Sequence, residues 1–256
     1  MTTPERAIHE RLKANLAAVR DEIVRACGRA GRDPANVRLV AVTKYAAPEV
    51  IAELPALGVS DLGENRVQQL VRRAEWFKAR TAAAGEPPQA CPRWHMIGHL
   101  QRNKVKALLR CCGVIHALDS VRLIEEVQAQ ASRANVRIEG LIELNLAGDP
   151  SKTGAPPEQV RTLVQAAAAS ANLRLIGLMT MAPYLDDAER TRPYFSRLRE
   201  TLRALREEGL APADCDQLSM GMSNDFAVAV EEGATIVRIG SRLFEGIAGA
   251  AETAPT

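Results

Sequence analysis

Residues 114–146 read VIHALDSVRLIEEVQAQASRANVRIEGLIELNL. Val114–Leu118 is a short strand-like run, Val121–Ala134 carries apolar residues with a period near 3.6, and Arg137–Leu146 is a second strand-like run. Two strands joined by a helix run parallel, because the helix carries the chain back across the sheet face in a right-handed crossover. The same unit recurs on either side. Strands are predicted at Val37–Thr43, Val59–Gly63 and Arg93–Gly98 before it, and at Leu173–Met181, Gln217–Met220 and Thr235–Ile239 after it. Helices are predicted over Pro48–Leu57, Asn65–Ala84, Arg102–Cys112, Pro157–Ala171, Asp187–Glu208, Asn224–Glu232 and Arg242–Ala248. Eight alternating units suit a closed α/β barrel, a single (β/α)8 TIM barrel. An open doubly wound sheet is the rival, but its G-x-G-x-x-G fingerprint is missing after the first strand, which exits as VTKYAAPE.

An extra helix precedes the barrel. Ile8, Leu12, Leu16, Val19, Ile23 and Cys27 recur every three or four residues between Pro4 and Ala30, forming one apolar stripe that Gly31 ends. The stretch 81–92 (TAAAGEPPQACP) reads as a surface loop, and 249–256 as a flexible tail, so residues 1–248 are expected to form one domain.

The chain has 256 residues, 46% of them apolar and 25% charged, which suits a soluble globule with a sizeable core. Its 33 basic and 31 acidic residues leave a formal charge of +2, too balanced for nucleic acid or a membrane surface to be the main partner. Five scattered cysteines without a C-x-x-C pair argue against both a disulfide framework and a zinc site. The N-terminus MTTPERAIHERLKANL lacks the apolar core of a secretory signal, and no run of eighteen apolar residues occurs. A cytoplasmic protein, acting as a monomer, is expected.

In such barrels the active face is built where strands end and the following loops begin. The first strand exits into Lys44. A lysine partly withdrawn from water sheds its proton more readily, and the neutral amine can form a Schiff base with an aldehyde or ketone. Other strand ends supply Glu64 and Asn65, His95 and His99, Asp119, Asn145, and Met179 and Met181. The last two units read LSMGMSND and IVRIGSRLFEG, placing Ser219, Gly221, Ser223, Gly240 and Ser241 at the openings of two helices. Glycines let a backbone approach an anion, hydroxyls donate to it, and a phosphate site after the last two strands is common in barrels. A lysine opposite a phosphate cup suggests pyridoxal 5′-phosphate, with a sugar phosphate as the other candidate. Arg238, near the end of the eighth strand, is placed to meet the pyridine nitrogen, where a permanent cation leaves that nitrogen unprotonated and the ring a weak electron sink. His95 and His99 have no evident third partner for a metal, and Glu64 and Asp119 show no paired-carboxylate arrangement.

The segments VAVTKY, LGENRVQ, WHMIGHLQRNK, IHALDS, ELNLAGDPSKTG, GLMTMAP, LSMGMSND and VRIGSRLFEG, in that order from Val37 to Gly246, together resemble the YggS/PROSC family, the pyridoxal phosphate homeostasis proteins. The resemblance implies a barrel like the N-terminal domain of bacterial alanine racemase, without that enzyme's second domain. It implies pyridoxal 5′-phosphate held as an aldimine on Lys44 with a contact from Asn65, the phosphate against Ser219, Ser223, Gly240 and Ser241, and the pyridine nitrogen near Arg238. Members carry and buffer the cofactor without established turnover, so the expected role is vitamin B6 homeostasis, with apo PLP-dependent enzymes as recipients. Two alternatives stay open: a PLP-dependent racemase or decarboxylase, and a cofactor-free Schiff-base aldolase.

Overall fold

In the computed structural model, which describes residues 3–85, 87, 90–149 and 152–247, eight parallel strands close into a barrel in sequence order. The strands are β1 (Arg38–Val42), β2 (Asp61–Glu64), β3 (Arg93–Met96), β4 (Cys112–Leu118), β5 (Ile138–Leu144), β6 (Leu173–Thr180), β7 (Gln217–Ser219) and β8 (Ile236–Ile239). Closure rests on β1 pairing with β8 in a register that sets Val40 beside Arg238 and Ala41 beside Ile239. The open doubly wound sheet is thereby excluded.

Helix α1 (Thr3–Arg29) precedes the barrel, and one helix follows each strand: α2 (Pro48–Ile51), α3 (Val67–Ala83), α4 (Val105–Leu108), α5 (Val121–Ala134), α6 (Val160–Ala168), α7 (Arg192–Glu207), α8 (Phe226–Glu231) and α9 (Ser241–Phe244). Several are shorter than their patterns predict. The Pro48–Leu57 stretch breaks into α2 and a 3-10 turn at Pro55–Leu57, where proline lacks the N–H that would continue the helix. The Arg102–Cys112 stretch ends early because Cys112 is already paired in β4, beside Trp94. The expected tail over 249–256 lies outside the described residues, as do Glu86, Pro88 and Gln89 of the loop at 81–92.

Helix α1 packs on α8 and α9 through its predicted stripe, with Leu12, Leu16, Val19, Ile23 and Cys27 buried and Ile8 partly so. Asn15 Nδ2 donates to Leu243 O (3.0 Å) and Glu245 O (2.9 Å), so the extra helix braces the end of the barrel that carries α9, while Arg32, just past the helix, donates through Nη2 to Ala234 O (2.8 Å) ahead of β8. Most of the core lies between strands and helices, as alternation along each strand dictates. A smaller cluster fills the barrel itself: Val40, Val114, Leu141, Ile176, Met179 and Ile236, with Met181 against it. At the N-terminal end of the strands, Arg93 Nη2 and Arg174 Nη1 pair with Glu139 at 2.5 and 3.3 Å. Among the described residues no helix is long and apolar enough to cross a membrane.

Candidate functional site

The seam between β1 and β8 gathers the main groups. Lys44, half-buried, follows β1, and its Nζ lies 4.8 Å from the ring centroid of exposed Tyr45. The turn that carries it is fixed from α3. Gln69 Nε2 donates to Lys44 O (3.0 Å), and the Arg73 guanidinium donates to Thr43 O (2.6 Å) and Ala46 O (2.8 Å). Arg73 also pairs with fully buried Glu64, which accepts from Thr43 Oγ1 at 2.5 Å. Burial pushes the Glu64 carboxyl up, while the Thr43 hydroxyl and the Arg73 charge pull it back. Glu64 is thus committed to holding the lysine turn.

Arg238 lies inside the barrel, 3% exposed, on the strand beside β1. Its Nη1 donates to Ser219 Oγ (2.6 Å) and its Nη2 to Thr180 O (3.0 Å). Burial brings its pKa down to about 10, against the charges of Asp225 and Glu143, so it remains a guanidinium at neutral pH. Beyond it, polar groups form a line that ends at half-buried Asp61. Ser219 Oγ lies 2.9 Å from His116 Nδ1, His116 Nε2 lies 2.9 Å from His95 Nδ1, and His95 Nε2 lies 2.8 Å from Asp61 Oδ1.

This line includes one of the expected site residues. Ser219 was expected at the phosphate, but it is fully buried, with its hydroxyl engaged by Arg238 and His116. The other expected cup residues stay together at the strand ends. Ser223 Oγ accepts from Gly240 N (3.3 Å), and its turn is held by Met222 N donating to Asp225 Oδ1 (2.6 Å). Ser241 follows and is exposed, and a recess lined by Ser223, Asn224, Arg242 and the segment 184–186 opens there. Glycine is required at the first bend, and the second is tightly packed. Gly221 has φ +91°, and a Cβ there would fall 2.6 Å from Ala229 Cβ and 2.9 Å from Phe226 Cα. A Cβ on Gly240 would fall 3.2 Å from Val42 O, at the foot of the Lys44 turn. Asn65 lies exposed just past β2.

The remaining strand-end residues have partners of their own. His99 Nδ1 lies 3.1 Å from Asp119 Oδ2, at the surface, away from the interior bonding of His95. Asn145 Nδ2 donates to Asp149 O (2.7 Å) and closes a loop. Glu143, which sequence reading passed over, is buried with Oε1 accepting from Thr153 Oγ1 (2.8 Å) and Oε2 without a hydrogen-bond partner among the described residues. Burial pushes its carboxyl up, and nearby Asp119 adds to the effect. Among the described residues no group of three or more His, Cys, Asp or Glu is arranged to hold a metal. The cysteines are free, and burial raises the Cys111 thiol to about 11 and the Cys112 thiol to about 12.

Residues 14–247 match the family described as the alanine racemase N-terminal domain. The pyridoxal phosphate homeostasis protein of Aquifex aeolicus is 42% identical over 230 residues, covering 90% of this chain and 95% of that one. The human protein of the same name is 36% identical over 239 residues, covering 90% of this chain and 84% of its own. Among solved structures, PipY of Synechococcus elongatus with PLP bound superposes with a TM-score of 0.76 at 29% identity, covering 91% of this chain and 99% of that one.

Proposed function

This chain belongs to the alanine racemase N-terminal domain family and, within it, to the pyridoxal phosphate homeostasis proteins, and from that membership we propose that it holds pyridoxal 5′-phosphate at the β1–β8 mouth and buffers it for the cell. The observation that carries the reading is the seam itself. The register Val40↔Arg238 and the tight packing of Gly240 against Val42 bring an amine, a buried cation and a glycine-lined bend onto two adjacent strands. These groups fit the cofactor. Lys44 supplies the amine for its aldehyde, Ser223, Gly240 and Ser241 the surround for its phosphate, Asn65 a contact at the rim, and Arg238 the donor for its ring nitrogen.

When bound, pyridoxal 5′-phosphate supplies an aldehyde that the amine takes up with loss of water, and a ring whose electron withdrawal depends on protonation of its nitrogen. Arg238 has only donors, so it offers that nitrogen a hydrogen bond while retaining its own proton. Gln69 and Arg73 keep the lysine turn from swinging away, and Glu64 keeps Arg73 in place. Such a site favours retention over turnover. The same reading takes residues 1–248 as one cofactor-holding unit, monomeric and cytoplasmic, with apo PLP-dependent enzymes as recipients and neither nucleic acid nor membrane as a partner.

A transfer assay tests it. Protein loaded with pyridoxal 5′-phosphate, then freed of unbound cofactor, is expected to restore activity to an apo PLP-dependent enzyme, and Lys44→Ala to restore less. No transfer beyond that from free cofactor would refute the buffering role. Sustained turnover of an amino acid, lost in Lys44→Ala, would replace it with a racemase or decarboxylase.

A further inference from the structure

The line of polar groups from buried Arg238 to half-buried Asp61 has only one self-consistent direction. Asp61 is the first residue of β2, at the opposite end of the strands from the mouth. Burial works against its charge, but the His95 hydrogen bond and the charges of Arg38 and Arg93 hold its carboxyl below the usual range, so it accepts. His95 therefore carries its proton on Nε2 and presents a bare Nδ1 to His116. His116 in turn carries its proton on Nε2 and presents a bare Nδ1 to Ser219. The Ser219 hydroxyl spends its proton on His116, which leaves its oxygen to accept from Arg238. Burial pushes both histidines below their ordinary pKa, which agrees with two neutral rings. Every donor points from the mouth toward Asp61. The charged groups facing this line are Arg38 and Arg93 near Asp61 and His95, with Arg93 paired to Glu139, and Arg238 near His116.

We propose that Asp61, His95 and His116 are positioning residues for the mouth: from the far end of the barrel they fix the direction of the Ser219 hydroxyl and, through it, the guanidinium face that Arg238 offers to a bound ring. A buried polar group is costly unless its partner has the complementary donor or acceptor, so each link dictates the next across five strands. Nothing in this requires Asp61 or the histidines to touch the ligand. The ligand part rests on the proposed function, whereas the direction of the line does not.

The test separates the two. Nitrogen-15 spectra of the four histidines are recorded on cofactor-free protein, and pyridoxal 5′-phosphate affinity is measured on the same samples. In the unmodified protein His95 and His116 are expected as single neutral Nε2–H tautomers across the neutral range. Asp61→Ala is expected to disturb the tautomer of His116, which Asp61 does not touch, and to weaken cofactor affinity on the order of tenfold, the loss of about one charge-assisted hydrogen bond. His95→Gln restores the direction, its amide N–H serving Asp61 and its oxygen serving His116, and is expected to retain affinity. Should Asp61→Ala not fold, His95→Leu against His95→Gln asks the same question. An unchanged His116 in the Ala or Leu variant, or altered tautomers with unchanged affinity, overturns the proposal. If even the unmodified protein takes up no cofactor, the proposed function fails while the tautomers still decide the direction of the line.

Discussion

Removing Arg73 is the most informative single perturbation of the lysine turn. Its guanidinium pairs with Glu64, whose side chain is 0% exposed, and donates to Thr43 O and Ala46 O. Arg73→Met keeps most of the apolar stem and deletes the charge, stranding a buried carboxylate. Breaking such a pair from one side costs about 3–5 kcal/mol, because the partner's desolvation is no longer offset. Exposed-pair discounts do not apply at this burial. For a chain of this size that is a fall in Tm of about 6–20 °C, taking roughly 2–4 °C per kcal/mol. The double variant Arg73→Met, Glu64→Gln removes the stranded charge and is expected to recover most of the stability, with the Thr43 hydroxyl still bonded to the Gln oxygen. Urea unfolding of the cofactor-free protein measures all three, a shift of midpoint at constant slope reporting stability. A loss below about 1 kcal/mol in Arg73→Met, or a double variant as unstable as the single, would refute the claim that this buried pair anchors the turn.

Other outcomes follow from the same geometry. Lys44→Ala, at a half-buried position beyond a strand, is expected to leave cofactor-free stability within about 0.5 kcal/mol while abolishing covalent uptake. A large drop in Tm would show that the lysine is structural. Ser223→Ala should weaken both pyridoxal 5′-phosphate and inorganic phosphate by about tenfold, whereas Ser219→Ala should leave inorganic phosphate unaffected. Equal phosphate losses in the two would restore Ser219 to the cup. Glu143, whose folded pKa is raised by burial above the ordinary carboxyl value, binds its proton more tightly folded than unfolded. Its contribution is therefore fully favourable below the unfolded value and is lost as pH rises through the folded one. Glu143→Gln should lack that loss, so it gains stability relative to the unmodified protein between acid and neutral pH, and identical pH profiles of urea midpoints would contradict this.

The barrel was legible because its signals are local. Each strand is a short apolar run closed by glycine, proline or a polar cluster, and α5 falls on Val121–Ala134 as its periodicity predicts. The α1 stripe was equally plain, since its spacing alone identifies the buried face. The short helices were overextended where the next strand, not propensity, ends them, as at Cys112. At the site, residue types were readable and their bonding was not. Ser219 looked like its neighbour Ser223 in LSMGMSND, but a strand residue of inward parity enters the barrel, whereas one past the strand end sits on the rim. His116 and Ser219 are 103 residues apart, and only closure of the barrel makes them partners. A signal was present: His95, His116, Glu143, Ser219 and Arg238 are polar residues at strand positions that are buried, which is costly unless they are bonded to something. Arg73 gave no such sign, because an arginine on a helix ordinarily reads as a solvated face.

The most direct test of the cofactor reading is the visible absorption spectrum of the purified protein given pyridoxal 5′-phosphate, before and after borohydride, beside Lys44→Ala. The account expects a yellow band that borohydride abolishes, with the cofactor then fixed to Lys44, and a band shifted or missing in the variant. A colourless protein that takes up no added cofactor would contradict it and return attention to sugar phosphates and a cofactor-free lysine.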